Sequence, residues 1–127
     1  MGLTPQRAQS AAAASASLAH LIIDTLEDAK AEDIVSIDLA GKTSLGDYMI
    51  VASGRSQRHV SAIAGRLLEK LKEHGVRDTK VEGMPLCDWV LIDAGDVIVH
   101  VFRPEARAFY NIEKMWKADK PRLEAAE

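Results

Sequence analysis

Residues 82–102 read Glu-Gly-Met-Pro-Leu-Cys-Asp-Trp-Val-Leu-Ile-Asp-Ala-Gly-Asp-Val-Ile-Val-His-Val-Phe, and this stretch decides the fold. Two apolar runs rich in β-branched residues, Trp89 to Ile92 and Val97 to Phe102, flank the turn signal Asp93-Ala94-Gly95-Asp96. Short apolar runs bounded by turn residues mark the strands of a hairpin. Gly95 supplies the positive φ that a tight hairpin turn requires. Apolar residues occupy both parities of each run, so both faces of these strands are expected to be covered and the hairpin to lie centrally in a sheet. Trp89 stands at the mouth of the first strand, beside Asp88 and just after the loop Met84-Pro85-Leu86-Cys87. It is either a core plug or a surface anchor.

Working upstream, Thr79 to Glu82 forms a short strand, and Gly75 after His74 stops a helix. That helix carries an apolar stripe at Val60, Ile63, Ala64, Leu67, Leu68 and Leu71, the spacing of one buried face. Ser56 is its N-cap, because a serine hydroxyl accepts from a backbone N–H of the first turn. Before it come two strands, Ile34 to Leu39 and Tyr48 to Ala52, joined by the turn-rich segment Ala40 to Asp47. Val35, Ile37 and Leu39 alternate with Ser36 and Asp38, the period of a strand with one wetter face. Leu18, Leu21, Ile22, Thr25, Leu26 and Ala29 predict an amphipathic helix over residues 15–31. Downstream, Arg103-Pro104-Glu105 opens a last helix, since proline suits the first helical position and glutamate the positive end. Its stripe is Phe109, Ile112 and Trp116. The order α-β-β-α-β-β-β-α predicts an α/β domain with a mixed sheet flanked by helices. Residues 1–16 are expected to be a frayed or disordered lead-in, 17–117 the single domain, and 118–127 a frayed tail.

A chain of 127 residues is about one domain and long enough to bury a core without covalent staples. Cys87 is the only cysteine, so no intrachain disulfide forms, which suits a reducing, cytoplasmic setting. No apolar run approaches the roughly 20 residues of a membrane span, and the Ala/Ser-rich start lacks the apolar region of a signal peptide. The 16 Lys and Arg are interleaved with 19 Asp and Glu, for a net charge of −3. Such a surface argues against direct binding to bare nucleic acid, which wants clustered positive charge, and fits a basic protein partner.

The catalytic and metal motifs are incomplete. Gly41-Lys42-Thr43 resembles the tail of a phosphate loop, but the required upstream glycine is Ser36 and no helix follows, so a plain turn is expected. Ser53-Gly54-Arg55-Ser56 lies between strand and helix, where backbone N–H groups can hold an anion. Nucleotidyltransferases place a Gly-Ser turn there, with paired carboxylates nearby for Mg²⁺. This chain has no Asp-x-Asp or Asp-x-Glu, and two-metal chemistry needs converging oxygen ligands. His20, His59, His74 and His100 lack metal spacing. His100, among apolar strand residues, is expected to be a satisfied core or interface histidine, and Cys87 not to be a nucleophile. Arg55, Arg58 and His59 are expected to be solvated. No cofactor or metal is expected.

Several segments together resemble the ribosomal silencing factor family, also called Iojap. They are Asp47-Tyr48 entering a strand, Ala52 to Val60, Glu82-Gly83, Trp89 to Phe102, Glu105-x-Arg107-x-Phe109-Tyr110, and Met115-Trp116, in order between Leu18 and Trp116. The resemblance implies a nucleotidyltransferase-like fold without the catalytic carboxylates, and no enzymatic activity. It implies binding to large-subunit ribosomal protein fourteen, a basic protein at the face where the subunits join. It further implies steric block of the small subunit, lower translation when nutrients are scarce, and homodimers. Aromatic anchors with an acidic rim suit such a partner. The contact is therefore expected along Trp89, Asp93, Asp96 and the last helix around Tyr110 and Met115. The residues by themselves also leave open a nucleotidyltransferase-like enzyme with an atypical metal site, or a homodimeric scaffold unrelated to ribosomes.

Overall fold

The computed structural model describes residues 5–39, 46–84 and 86–110, with side chains over 14–39, 46–84 and 86–107. The elements run α1 (Pro5–Asp28), β1 (Glu32–Asp38), β2 (Tyr48–Ser53), α2 (Gln57–Glu73), β3 (Lys80–Glu82), β4 (Trp89–Asp93), β5 (Val97–Phe102) and α3 (Pro104–Tyr110). The five strands form one mixed sheet in the order β1-β2-β5-β4-β3. β2 and β5 are parallel, and the other neighbours are antiparallel. The expected mixed α/β sheet is therefore present, with β5 at its middle.

Helices α1 and α2 cover one face. Their buried residues, Ala19, Ile22 and Leu26 with Val60, Ile63, Ala64, Leu67 and Leu71, pack on Ile50, Ala52, Val90, Ile92, Val97, Val99 and Val101. The other face carries a second cluster of Ile37, Leu39, Met49, Val51 and Phe102, against which Val35, Trp89 and Ala106 of α3 pack. β5 is buried along its whole length, as its apolar residues at both parities require. β4 departs from that expectation. Val90 and Ile92 are buried, whereas Trp89, Leu91 and Asp93 are half-buried, because only the helix-side positions lie under α1 and α2.

Local signals fix the ends of the elements. Ser56 Oγ accepts the His59 N–H at 3.1 Å and caps α2. Gly75, at φ 79°, ends it: the Gly75 N–H bonds Lys72 O and the Val76 N–H bonds Leu71 O, the paired pattern of a left-handed helix stop. α1 ends the same way on a residue the sequence does not flag. Lys30 adopts φ 66°, its N–H bonds Glu27 O, and the Ala31 N–H bonds Leu26 O at 2.9 Å. In the central hairpin, Gly95 has φ 93° and donates its N–H to Asp93 Oδ1 at 2.9 Å. α1 begins at Pro5, upstream of the predicted amphipathic stretch, since its alanine-rich first half favours helix by propensity rather than by pattern. β1 starts at Glu32 through a bulge, where the register shifts between Glu32 and Val35 and Asp33 has φ 49°. Gly41-Lys42-Thr43, Ile112, Met115 and Trp116 lie outside the described residues, as does the side chain of Phe109.

Candidate protein-docking face

Hairpin register and the two-residue period of a strand define this face. β4 pairs with β5 so that Trp89 lies opposite Phe102, Leu91 opposite His100, and Asp93 opposite Ile98. β5 pairs with β2 so that Phe102, His100 and Ile98 meet Ser53, Val51 and Met49. Paired residues share a face, so three rows cross the sheet on the side away from α1 and α2. Trp89 ends its row on β4, whereas the other two rows continue onto edge strand β3, Leu91 meeting Glu82 and Asp93 meeting Lys80. Two apolar side chains at the outer margin of a buried layer stay half-buried on β4.

Phe102 and His100 both contact the Trp89 ring. It stacks on Phe102 with centroids 5.1 Å apart at 25°, and its indole N–H donates to His100 Nδ1 at 3.0 Å. His100 is 5% exposed. Burial in this apolar layer lowers its imidazole to about 4, so the ring is neutral at pH 7 and accepts at Nδ1. The expectation of a satisfied core or interface histidine holds for Nδ1. Trp89 is packed on the second cluster and half-buried at the sheet margin.

Polar contacts seat the start of α3 beside that ring. Arg103 Nε donates to Asp88 Oδ1 at 2.8 Å, and Gln57 Nε2 donates to the same oxygen at 3.2 Å. The Arg103 backbone N–H bonds Asp88 O at 3.0 Å. Arg107 Nη1 donates to Ser53 Oγ at 2.6 Å. These contacts join β4, α2, β2 and α3 at the end of the sheet where Trp89 lies.

The residues predicted for the contact separate into two groups. Trp89 and Asp93 share one face of β4 but stand at opposite ends, roughly 13 Å apart at the usual rise of a strand. Asp93 caps the hairpin turn through Gly95. Asp96 has an exposed side chain, and its carbonyl accepts the N–H groups of Asp47 and Tyr48 at 2.7 and 3.1 Å. Tyr110 is the last residue of α3, with its side chain outside the described residues, and Met115 lies beyond them. Sequence reasoning did not select Leu91, His100 and Phe102, the residues that stand beside Trp89. Ala94 and Val97 close the turn, which puts Phe102 opposite Trp89 and His100 opposite Leu91; the turn signal Asp93 to Asp96 does not by itself say which residues close it, so the register was not readable from the sequence.

The remaining candidates are structural. Arg55 and Arg58 are exposed as expected, with Arg55 Nε 2.6 Å from Glu32 Oε2. His59 is less solvated than expected. Its Nδ1 accepts the Arg55 N–H at 2.9 Å, which leaves Nε2 to donate to Ala29 O at 3.0 Å, tying α2 to the end of α1. The Cys87 thiol is buried and donates to Met84 O at 2.6 Å. No helix among the described residues is long and apolar enough to cross a membrane.

Comparison with known proteins bears on the family of the chain. The model of the family described as "Ribosomal silencing factor during starvation" matches residues 11–127. The chain is 52% identical over 99 residues to the ribosomal silencing factor RsfS of Zymomonas mobilis, covering 78% of this chain and 74% of that one. A crystal structure of a Chromobacterium violaceum protein, 47% identical, superposes with a TM-score of 0.77 over 83% of this chain and 88% of that one. The mouse protein named "Mitochondrial assembly of ribosomal large subunit protein 1" is 31% identical over 99 residues, 76% of this chain and 43% of that one.

Proposed function

We propose that this chain, which belongs to the ribosomal silencing factor family, docks on large-subunit ribosomal protein fourteen and sterically keeps the small subunit from joining. The family is regulatory and not enzymatic, which removes the nucleotidyltransferase-like enzyme as an alternative. The protein lowers translation when nutrients are scarce, acts in the cytoplasm where ribosomes work, and forms a homodimer.

One observation carries the docking reading: β4 presents Trp89 and Leu91 half-buried at the margin of an otherwise buried layer. Half-exposed aromatic side chains seated in a rigid sheet are the usual anchors of protein interfaces. The aspartates of the adjoining turn and the net charge of −3 complement a basic partner, and charge of this kind acts mainly on encounter. Occlusion needs no chemistry, only residence on the joining face. Gradient sedimentation of cell extract tests the association. The protein should travel with the large subunit, and a Trp89→Ala variant should remain near the top. Parent protein found only in the light fractions would refute the proposal.

A further inference from the structure

His100 is an expensive residue for its position. It lies on the central strand, 5% exposed, between Ile98 and Phe102 on one face of the sheet. Its flanking partners are Val51 on β2 and Leu91 on β4. An apolar side chain would fill this layer without loss, whereas a buried imidazole must give up its hydration, as its lowered proton affinity records. The bond to Trp89 fixes His100 as the tautomer with its proton on Nε2, and that N–H has no acceptor among the described residues. A buried donor without a partner is a further penalty. Packing alone does not explain a histidine here.

The contact that an apolar residue could not make is the one to the indole. We propose that His100 is the positioning residue of the docking face: by accepting the Trp89 N–H it fixes the indole for the partner. This rests on the docking proposed above. Stacking on Phe102 at 5.1 Å limits the tilt of the indole, but rotation about the Cα–Cβ bond can still slide a ring across its neighbour. The 3.0 Å bond to Nδ1 opposes that rotation. It also takes up the only hydrogen-bond donor of the side chain. A partner docking on this ring therefore meets carbon, in one orientation. The complementary group is an apolar recess or the aliphatic stem of a lysine or arginine, not a hydrogen-bond acceptor. Pre-orientation of an anchor raises affinity by removing the ordering cost at the moment of binding.

Two substitutions separate positioning from packing. Asparagine places Oδ1 close to where Nδ1 stands and keeps the acceptor, but fills the layer less well. Leucine fills the layer and removes the acceptor. The free proteins are compared first by the indole N–H resonances in ¹H–¹⁵N spectra. With two tryptophans in the chain, a Trp116→Phe background leaves the Trp89 signal alone. That N–H should be protected from solvent exchange in the parent and in His100→Asn, and unprotected in His100→Leu. Affinity for purified large subunits is then measured well below every melting temperature. His100→Leu should bind about tenfold more weakly, roughly 1.4 kcal/mol, with an unchanged or higher melting temperature. His100→Asn should bind within about threefold of the parent although it melts lower. Affinity that follows melting temperature instead, or His100→Leu binding like the parent, would overturn the positioning role while leaving docking intact. A parent protein that does not bind the subunit would overturn both.

Discussion

Val99 sits at the middle of the middle strand and is 0% exposed. On its two sides are Ile50 of β2 and Ile92 of β4, and over it lies the layer of α1 and α2 residues that includes Leu26, Ile63 and Leu67. Val99→Asp puts a carboxyl where every neighbour in register is apolar and also 0% exposed. Leaving an uncompensated charge in a core costs roughly 3–5 kcal/mol, and the lost valine burial adds about 1.5 kcal/mol. Protonation of the new side chain relieves part of the first penalty, so about 4 kcal/mol is a fair lower estimate. That is a large share of the roughly 5–15 kcal/mol that holds a domain of this kind together. At about 3 °C per kcal/mol for this chain length, the melting temperature should fall by at least ~12 °C. Thermal melts followed by circular dichroism provide the assay. Ser36→Asp, exposed on edge strand β1, serves as the control and should shift the midpoint by no more than a degree or two. A Val99→Asp protein melting within ~2 °C of the parent would show that β5 is not the buried centre of the sheet.

Trp89→Ala should weaken large-subunit binding by at least ~2 kcal/mol, the scale of an interface anchor. Because the ring also packs on Phe102, circular dichroism must show the variant folded, and a folded variant with parental affinity would move the contact to the Arg58-His59 side of α2. Asp96→Asn should slow association, more at low salt than at high, and leave dissociation nearly unchanged; stopped-flow or surface-based kinetics would read both rates. For His100 the sign follows from a folded-state value of about 4 against an ordinary 6.5. Below pH 6.5 the unfolded chain takes up a proton that the folded chain refuses. This contribution to stability is therefore complete above pH 6.5 and lost as pH falls toward 4, by on the order of 3 kcal/mol. Urea unfolding of the parent and His100→Asn across that interval should show the parent losing more stability by about that amount, and parallel curves would contradict the buried neutral ring.

The frame of the molecule was legible where one residue type has one local use. Val97 to Phe102 was expected as a strand and is one, Ser56 caps α2, Gly75 stops it, and Pro104 opens α3. Burial on β4 was not legible. Trp-Val-Leu-Ile-Asp is apolar at both parities, so hydropathy could not tell that Leu91 faces the open margin while Val90 and Ile92 face the helices. Left-handed turns at Lys30, Asp33, Asp78 and Cys87 carried no glycine to announce them. The candidate face was legible in part. Trp89 stood out by type, but His100 takes its meaning from a partner eleven residues away, which only the hairpin register brings within reach. His59 was hidden in the same way, since its tie to Ala29 spans 30 residues.

Occlusion makes a quantitative demand that no catalytic mechanism shares. Purified large subunits are titrated with the protein, small subunits are then added, and the joined fraction is measured on gradients at constant Mg²⁺. Occlusion predicts that joining falls linearly with added protein and is abolished near one docked copy per large subunit, with no nucleotide present. Complete block at far less than one copy per large subunit, or undiminished joining on subunits that carry the protein, would contradict it.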